Sequence, residues 1–510
     1  MNSSKKPALP LSADLLSNVN MLQSRLGNSP DVIIRFLDMK LSQEHCSLAL
    51  VYIDGLVHSD SIHEHLIQPL LAVQETDKVN EQYIGIRDVL QQILSIGKLS
   101  TAEHDSSVLA AVLHGDTAIL IDGVDEALLA NTSGSETRSI EEPQTQTVIR
   151  GPKEGFTENI RTNTMLLRRK IRSPDLRFES LKIGRYTQTE VNVAYLDGVA
   201  NEQVLEELKR RLHAIDTDSI LESAYIEEFI EDKIYTPFPT LMNTERPDAA
   251  AAGILEGQII IMIDGTPFVL LAPVTFFKFL QSSEDYYQRY DIASFVRLIR
   301  YVSFITSMLL PSLYIAVTTF HHEMLPTTLL VGLAAQREGV PFPALVEAFL
   351  MEITFEVLRE AGVRMPRVVG PAISIVGALV LGQAAVQAGL VSAAMVIVVS
   401  FTAISNFVTP AINLAVAARL IRFLLMLLAG SLGLFGILTG CMAILIHMAS
   451  IKSFGIPYLS PFAPFVKPNM KDILIRLPWW KLKTRPTVMT KNINRQPADR
   501  PSASTKKNKS

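Results

Sequence analysis

Acidic side chains recur at helical spacing inside an apolar segment, FPALVEAFLMEITFEVLREAG, at residues 342–362. A proline near the start of this segment and a glycine at its end are typical helix boundaries, so we predict a helix there. Glu352, Glu356 and Glu360 then follow at i, i+4 and i+8 and share one stripe of that helix. Carboxylates among membrane-buried surfaces normally face a bundle interior or a water-filled path, and rings of them select cations. The spacing fits such a path, and it also fits an interfacial amphipathic helix whose acids are solvated.

Two glutamines one helical turn apart lie in the next apolar segment. Their amides could line the same path, or they could bond between neighbouring helices. The candidate pore-lining residues are therefore Glu352, Glu356, Glu360, Gln383 and Gln387. The sequence shows no spacing typical of a catalytic nucleophile and base or of metal ligands, so we expect no enzyme, no metal site and no cofactor.

The second half of the chain has the hydrophobicity of a membrane domain. Residues 368–418 include no charged side chain, and this run could cross a bilayer twice, because one crossing needs about 20 apolar residues. Arg297 and Arg300 precede the first apolar run and favour a cytosolic start. We predict an all-α polytopic membrane domain over residues 291–465. Its predicted spans are Tyr301–Phe320, Ala372–Leu390, Ala393–Ala415 and Phe423–Ile446.

Four spans leave a conflict in the distribution of positive charge. They return the C-terminus to the cytosol, but they place Arg419 and Arg422 outside, against the preference of basic residues for the cytosolic side. A further crossing or a re-entrant pass within residues 325–362 would remove this conflict, and the sequence leaves that alternative open.

The first half of the chain contains an internal duplication. LALVYIDG and DTAILIDG in the first copy correspond to VNVAYLDG and QIIIMIDG in the second. Asp54 and Asp197 of these segments are 143 residues apart, and Asp122 and Asp264 are 142 apart. The aspartates could bind a metal, although Asp-Gly is a strong turn signal and no other ligands accompany it. We predict an α/β soluble module of two duplicated subdomains followed by the membrane domain. The predicted subdomains occupy residues 25–140 and 141–290.

The segment between the two copies, residues 138–171, mixes Arg, Glu, Pro and Gly and becomes helical in pattern only from Phe156. A second patch of this kind, PFPTLMNTERPDAAAAGILEG, lies at residues 237–257. Both patches fit either structured connectors held by Arg–Glu pairs or surfaces of contact between subunits. The candidate subunit contacts are Arg138, Glu141, Glu142, Arg150, Glu245, Arg246 and Asp248.

The two ends of the chain differ from both halves. Residues 1–24 have no apolar core of signal-peptide type, and we expect them to be disordered. From residue 466 onward twelve Lys and Arg accompany two Asp, although the net charge of the chain is −4. We therefore predict a basic cytosolic tail at 466–510 that lies beside anionic lipid and is disordered after Arg485. Two cysteines cannot form a disulfide framework, which fits a reducing compartment.

Long motifs in a fixed order give the chain a resemblance to a known family. RSIEEP, IRGPKEGFTENIRTNT, TERPD and IDGTPFVLLAP in the soluble half resemble the spore germinant receptor A-subunit family. So do VPFPALVEAFLMEITFEVLREAGVRMP, GALVLGQAAVQAGLVSAAMVIVVS and IRLP in the membrane half. The resemblance implies a multi-pass protein of the spore inner membrane, with the soluble module and the basic tail facing the cytosol or core.

The resemblance also implies partners and a role. Members are thought to form homo-oligomers that conduct monovalent cations, and they assemble with a transporter-like B subunit and a lipoprotein C subunit. A small nutrient germinant acts through the complex, and we expect no nucleic-acid partner. Two alternatives stay open: a scaffold subunit anchored by its spans, and a stand-alone transporter of small solutes. The chain lacks the repeated broken helices that transporters often show.

Overall fold

The computed structural model describes residues 8–41, 44–72, 94, 96, 99–134, 141–365, 380–490 and 494–495. The chain divides into two compact units, one built around β-sheets and one helical. The sheet unit lies within Met1–Glu231, Asn243–Pro273 and Thr484–Gln496, and the helical unit within Asp232–Met242 and Val274–Lys483.

The sheet unit contains two five-stranded sheets of the same topology. Their strand orders are β1-β2-β4-β5-β3 and β6-β7-β9-β10-β8. Each copy begins with a helix and a long antiparallel hairpin. Helices and a short edge strand come next, and a further helix and a second hairpin end the copy. The first copy comprises α1 (Leu15–Leu26), β1 (Val32–Leu41), β2 (Glu44–Ile53), α2 (Ser59–Ile62), a π-turn (His63–Ile67), α3 (Gln68–Ala72), β3 (Leu99–Ala102), α4 (Asp105–His114), β4 (Thr117–Ile121) and β5 (Ala127–Ala130). The second comprises α5 (Ile160–Lys170), β6 (Leu176–Ile183), β7 (Thr189–Leu196), α6 (Glu202–His213), α7 (Ser223–Ile230), β8 (Met242–Thr244), α8 (Pro247–Glu256), β9 (Ile259–Ile263) and β10 (Val269–Ala272). The predicted α/β class and the duplication are confirmed.

Equivalent aspartates of the two copies make equivalent contacts. Asp122 Oδ1 accepts a hydrogen bond of 3.2 Å from the backbone nitrogen of Leu15, the first residue of α1. Asp264 Oδ1 accepts one of 3.1 Å from the nitrogen of Ile160, the first residue of α5. The free N–H groups at a helix start need such acceptors. The Asp-Gly turns therefore join each second hairpin to the helix that opens its copy.

The described residues near both ends of the chain are more ordered than the sequence suggested. Residues 15–24 were expected to be disordered, but they form most of α1, because Asp14 caps its first turn and apolar side chains such as Leu22 are buried. In the predicted tail, Thr490 forms a β-bridge with Ala200 and its hydroxyl donates to the carbonyl of Val199. The expected disorder after Arg485 therefore does not hold for the described residues as far as 490.

The helical unit packs several helices around a shared apolar core. Buried side chains of this core include Ile315, Ala348, Met395, Met426 and Ile437. Two of its helices are long and apolar enough to cross a membrane, Tyr290–Thr319 and Ile412–Ser450. The helices of this unit include α9 (Tyr290–Thr319), α10 (Thr327–Arg337), α11 (Ala344–Arg364), α12 (Ala393–Phe407) and α13 (Ile412–Ser450). A two-stranded ribbon follows α13 and consists of β11 (Lys452–Ser453) and β12 (Ile456–Pro457). Short 3₁₀ turns occupy Phe276–Leu280, Ser283–Tyr286, His322–Met324, Lys467–Asp472 and Trp479–Lys481.

The helices differ from the predicted spans after residue 390. The predicted span Ala393–Ala415 is interrupted, because α12 ends at Phe407 and α13 begins at Ile412. Pro410 lies in this break, and proline lacks the N–H that a continuous helix requires. The predicted last span begins inside α13. The start of Ala372–Leu390 lies outside the described residues, so the four-span topology stays a prediction.

Helix α13 folds back on itself at Gly433. The φ of 62° and ψ of −141° at Gly433 lie outside the helical region and suit a glycine. A Cβ on Gly440 would lie 2.6 Å from the side chain of Leu425, although these residues would be about 22 Å apart in a straight helix. A Cβ on Gly436 would likewise collide with the carbonyl of Leu428. The glycines therefore let the two halves pack closely as a helical hairpin.

Candidate functional site

Helix α11 carries the acids that the sequence singled out. It begins after Pro343, its N-cap residue, and ends at Arg364, one half-turn beyond the predicted end. Glu352 is fully buried, and Glu356 is largely covered. A buried charge is costly unless an opposite charge and hydrogen bonds accompany it. The partners of these two carboxylates therefore decide what the acids can do.

The partners of Glu352 and Glu356 are arginines of the first half of α13. Nη1 of Arg422 donates to Oε1 of Glu352 at 3.2 Å and lies 3.0 Å from Oε2. Nη1 of Arg419 donates to Oε2 of Glu356 at 2.9 Å. Arg359, one turn further along α11, also donates to Glu356. Acids at i, i+4 on one helix thus meet arginines at i, i+3 on another, and together they form a buried glutamate–arginine network.

The network carries a surplus of positive charge. Arginines stay protonated in proteins, so Arg359, Arg419 and Arg422 outnumber Glu352 and Glu356 by one unit when both acids are ionised. Nε of Arg419 and Nε of Arg422 are buried and find no acceptor among the described residues. Both carboxylates are therefore paired with arginines in this arrangement of the helices.

A third buried acid, Glu347, joins α11 to the start of α12. Its Oε1 accepts 2.6 Å hydrogen bonds from both the backbone nitrogen and the hydroxyl of Ser392, the N-cap residue of α12. The hydroxyl of Tyr314 on α9 lies 3.3 Å from the same Ser392 hydroxyl. A carboxylate at a helix N-terminus is stabilised by the helix dipole and by free N–H groups. Glu347 thus connects three helices.

The remaining predicted pore residues do not join this network. Glu360 is 60% exposed and pairs with Arg364 at 2.7 Å on the same helix. Gln383 and Gln387 are exposed on a helical stretch at residues 380–387. The structure therefore brings two of the five predicted residues together, and a pore-lining role for any of the five stays a prediction.

Sequence reasoning missed Glu347, Arg419 and Arg422 as site residues. A usable signal was present for the arginines: two positive charges, three residues apart in an apolar helix, need nearby acids if they are buried. The acids of α11 were the nearest unexplained negative charges in the apolar half of the chain. For Glu347 the signal was weaker, because its partner is a serine at a helix start 45 residues later.

The second set of predicted residues forms a buried support for the connector between the sheets. The carboxylate of Glu245 accepts hydrogen bonds from the backbone nitrogens of Gln144 and Thr145, at 2.7 and 3.3 Å, and from the Thr145 hydroxyl at 3.0 Å. Arg246 donates to Asp248 at 2.9 Å and to two connector carbonyls, at 3.1 and 2.9 Å. These three charged residues hold an irregular loop in one shape.

The exposed part of the same set lies on the connector itself. Glu141, Glu142 and Arg150 are exposed, and Glu142 pairs with Lys153 at 2.9 Å. Arg138 lies outside the described residues. Contact between subunits stays a prediction for this set: the exposed members could touch a neighbouring subunit directly, and the buried members only by fixing the loop.

Comparison with known proteins places the chain among spore germination proteins. A family model described as "Bacillus/Clostridium GerA spore germination protein" matches residues 20–488. Spore germination protein KA of Bacillus subtilis (strain 168) is 49% identical, over 96% of this chain and 88% of that protein. Spore germination protein GerLA of Bacillus cereus is 38% identical, over 96% and 99%.

Two further matches are a membrane protein and a solved structure. The uncharacterized membrane protein YfkQ of Bacillus subtilis (strain 168) is 44% identical, over 96% of this chain and 94% of that protein. The crystal structure of the N-terminal domain of the A subunit of the Bacillus megaterium spore germinant receptor GerK3 is 37% identical. The match covers 53% of this chain and 99% of the GerK3 domain, with a TM-score of 0.42.

Proposed function

This chain belongs to the Bacillus/Clostridium GerA family of spore germination proteins, and from that premise we propose that it is the A subunit of a nutrient germinant receptor. In this proposal it oligomerises in the spore inner membrane and forms a nutrient-gated cation channel. The observation that carries the channel part is the buried glutamate–arginine network between α11 and α13. Ionisable groups inside an apolar helical unit are expensive and usually belong to ion pathways or relays.

The paired acids support a closed state of the proposed channel. Glu352 and Glu356 are held by arginines, and the network has a surplus positive charge that repels cations. Conduction through α11 then requires the arginines of α13 to move away from the acids. The reversal of α13 at Gly433 separates the first half of this helix, which carries both arginines, from its second half, so the first half can move separately.

Coupling to nutrient follows from differential binding to the two states. In our proposal the nutrient binds mainly to the transporter-like B subunit, and a lipoprotein C subunit completes the receptor. The sheet units of neighbouring A subunits form a ring that favours either the closed or the open arrangement of the helices. A ligand shifts such an equilibrium only by its difference in affinity for the two states.

Cation conductance of the purified full-length protein in planar bilayers tests the proposal. The double variant Glu352→Gln, Glu356→Gln keeps the size of both side chains and removes both charges. We expect a cation-selective current in the wild type and a weaker, less selective current in the double variant, because rings of carboxylates select cations. Glu360→Gln is the matched control on the same helix, since Glu360 is exposed and lies outside the network.

Unchanged current and selectivity in the double variant would defeat the role of these acids in conduction. A cation current that Glu360→Gln weakens as much as the double variant would indicate a general loss of negative charge. If a folded, oligomeric preparation shows no current, the same measurement on the complex with B and C subunits separates a channel that needs its partners from a scaffold.

A further inference from the structure

A second charged cluster lies where the first apolar helix begins. Asp285, in the 3₁₀ turn before α9, accepts hydrogen bonds from Arg297 at 3.0 Å and from Arg300 at 2.6 Å. Arg297 also donates at 2.9 Å to Asp472. Asp472 lies in the 3₁₀ turn that follows α13 and the two-stranded ribbon. The other carboxylate oxygen of Asp472 accepts from the hydroxyl of Tyr286 at 2.6 Å. Each carboxylate oxygen of the two aspartates therefore accepts from a partner other than Arg476.

Arg476 is the third arginine of a cluster with two aspartates, so the cluster carries one surplus positive charge. Only 3% of Arg476 is exposed, and its Nε and Nη2 find no acceptor among the described residues. Its backbone is fixed to the first turns of α9, because the Ser294 hydroxyl accepts from its nitrogen at 3.1 Å and donates to its carbonyl at 3.2 Å. Its guanidinium lies over the rings of Tyr286 and Trp479, 5.5 Å from each centroid.

A buried guanidinium with free donors is incomplete. Desolvated donors without acceptors cost free energy, and native proteins satisfy nearly all of them with protein, water or ligand. Aromatic faces stabilise the positive charge, but they supply no acceptor in the plane of the N–H groups. A phosphate oxygen is the acceptor that arginine geometry suits well. Trp479 covers one face of the group and is itself 52% exposed, so the guanidinium lies one side chain below the surface.

The surroundings of Arg476 fit the boundary of a bilayer. Trp480 packs edge-on against Tyr290, the first residue of α9, with centroids 6.3 Å apart. Both tryptophans are exposed, as are Lys481 and Lys483 beside them. Tryptophan and tyrosine concentrate at the headgroup level of membranes, and basic clusters next to a span bind anionic lipids.

We infer that Arg476, framed by Tyr286 and Trp479, binds the phosphate group of an anionic phospholipid. The lipid headgroup supplies the missing acceptor, and its acyl chains lie along the exposed apolar side of α9. This inference rests on the membrane location in the proposed function. It makes Arg476 a lipid-binding residue, while Arg297 and Arg300 serve to hold the turns that shape the site.

Native mass spectrometry of the full-length protein, released from nanodiscs of mixed phosphatidylglycerol and phosphatidylcholine, tests the site. We expect the wild type to retain phosphatidylglycerol and Arg476→Gln to bind it about tenfold more weakly, the range of one lost charge-assisted hydrogen bond. Lys481→Gln removes the same charge from an exposed neighbour and is the matched control. Equal retention by the wild type and Arg476→Gln, or an equal loss in Lys481→Gln, would overturn the inference.

Two further arms identify the source of the phosphate and guard against misfolding. Inorganic phosphate at millimolar concentration should leave lipid retention unchanged; displacement of the lipid by free phosphate would overturn the lipid assignment. If Arg476→Gln does not fold, Trp479→Ala keeps the charge and removes one wall of the site, and we expect an intermediate loss of binding. A protein that fails to enter nanodiscs at all would refute the membrane location, which is a failure of the proposed function.

Discussion

Replacement of Arg422 by methionine should destabilise the helical unit strongly, because it leaves Glu352 buried without its partner. Arg422 and Glu352 are 1% and 0% exposed, and Arg422 is the one charged residue that contacts Glu352 in the described part of the chain. Loss of one member of a buried pair costs about 3–5 kcal/mol. Replacement of the other member of the pair, Glu352→Met, should cost less, about 1–3 kcal/mol. Arg422 then still has Glu356 as a charged partner, at 3.6 Å.

The double variant Glu352→Met, Arg422→Met should recover most of the loss. Exchange of a whole buried ion pair for packed apolar side chains is often neutral or stabilising. The sum of the destabilisations in the two single variants should therefore exceed the destabilisation in the double variant by about 2 kcal/mol or more. This difference is the coupling energy between the two positions. An asymmetry between the single variants together with this recovery distinguishes a buried pair from two independent contributions.

Unfolding of the full-length protein in mixed micelles with increasing SDS, followed by far-ultraviolet circular dichroism, measures these differences. Arg364→Met is the matched control: Arg364 is 78% exposed and pairs with Glu360, so its loss should change stability by less than about 1 kcal/mol. If Arg422→Met is no more destabilising than Arg364→Met, Glu352 does not depend on Arg422. The argument for a closed state held by this network would then fail.

Two predictions concern the sheet unit. Arg168 and Asp31 form a buried ion pair at 2.7 Å between the two copies. Arg168→Ala should therefore lower the free energy of unfolding of this unit by about 3–5 kcal/mol in denaturant titration. Arg185→Ala removes an exposed pair and should change that free energy little. Burial, with help from neighbouring carboxylates, raises the pKa of Glu227 to about 7 from a usual 4.5. The folded state then holds a proton that the unfolded state has lost, so stability should fall as pH rises from 4.5 to 7. Thermal unfolding across this range should show a clearly flatter dependence for Glu227→Gln and only a slightly flatter one for Glu228→Gln, because Glu228 is one of the neighbouring carboxylates that raise this pKa.

The duplication was predictable because each copy repeats a local signal with a direct structural cause. An apolar strand that ends in Asp-Gly indicates a turn, and the near-equal offsets of 143 and 142 residues between corresponding turns indicate two related folds. What the sequence did not reveal is the second contact of Asp122 and Asp264. Each caps a helix more than a hundred residues earlier in the chain, and a contact of that range follows from topology and not from local pattern.

The helices of the second half show the same limit. Two predicted apolar segments lie almost entirely within the long helices Tyr290–Thr319 and Ile412–Ser450, but hydropathy could not place the break at Pro410 or the reversal at Gly433. Hydropathy averages over a window, whereas a break depends on one residue: a missing N–H at Pro410 and a positive φ at Gly433. The close packing of Gly436 against Leu428 also depends on that reversal.

Two costly features of the sequence explain each other once the chain is folded. Acids on an apolar helix and arginines that violate the expected charge distribution are each unfavourable alone, yet Glu352 meets Arg422 and Glu356 meets Arg419. A pair that neutralises itself can be buried, but an acid that is neutralised cannot coordinate a passing cation. In the proposed channel, stability and conduction therefore depend on the same carboxylates in opposite ways. Any change that frees Glu352 or Glu356 for a cation must also remove stabilisation from the closed helices, so open-state activity and loss of stability should rise together across variants of Arg419 and Arg422.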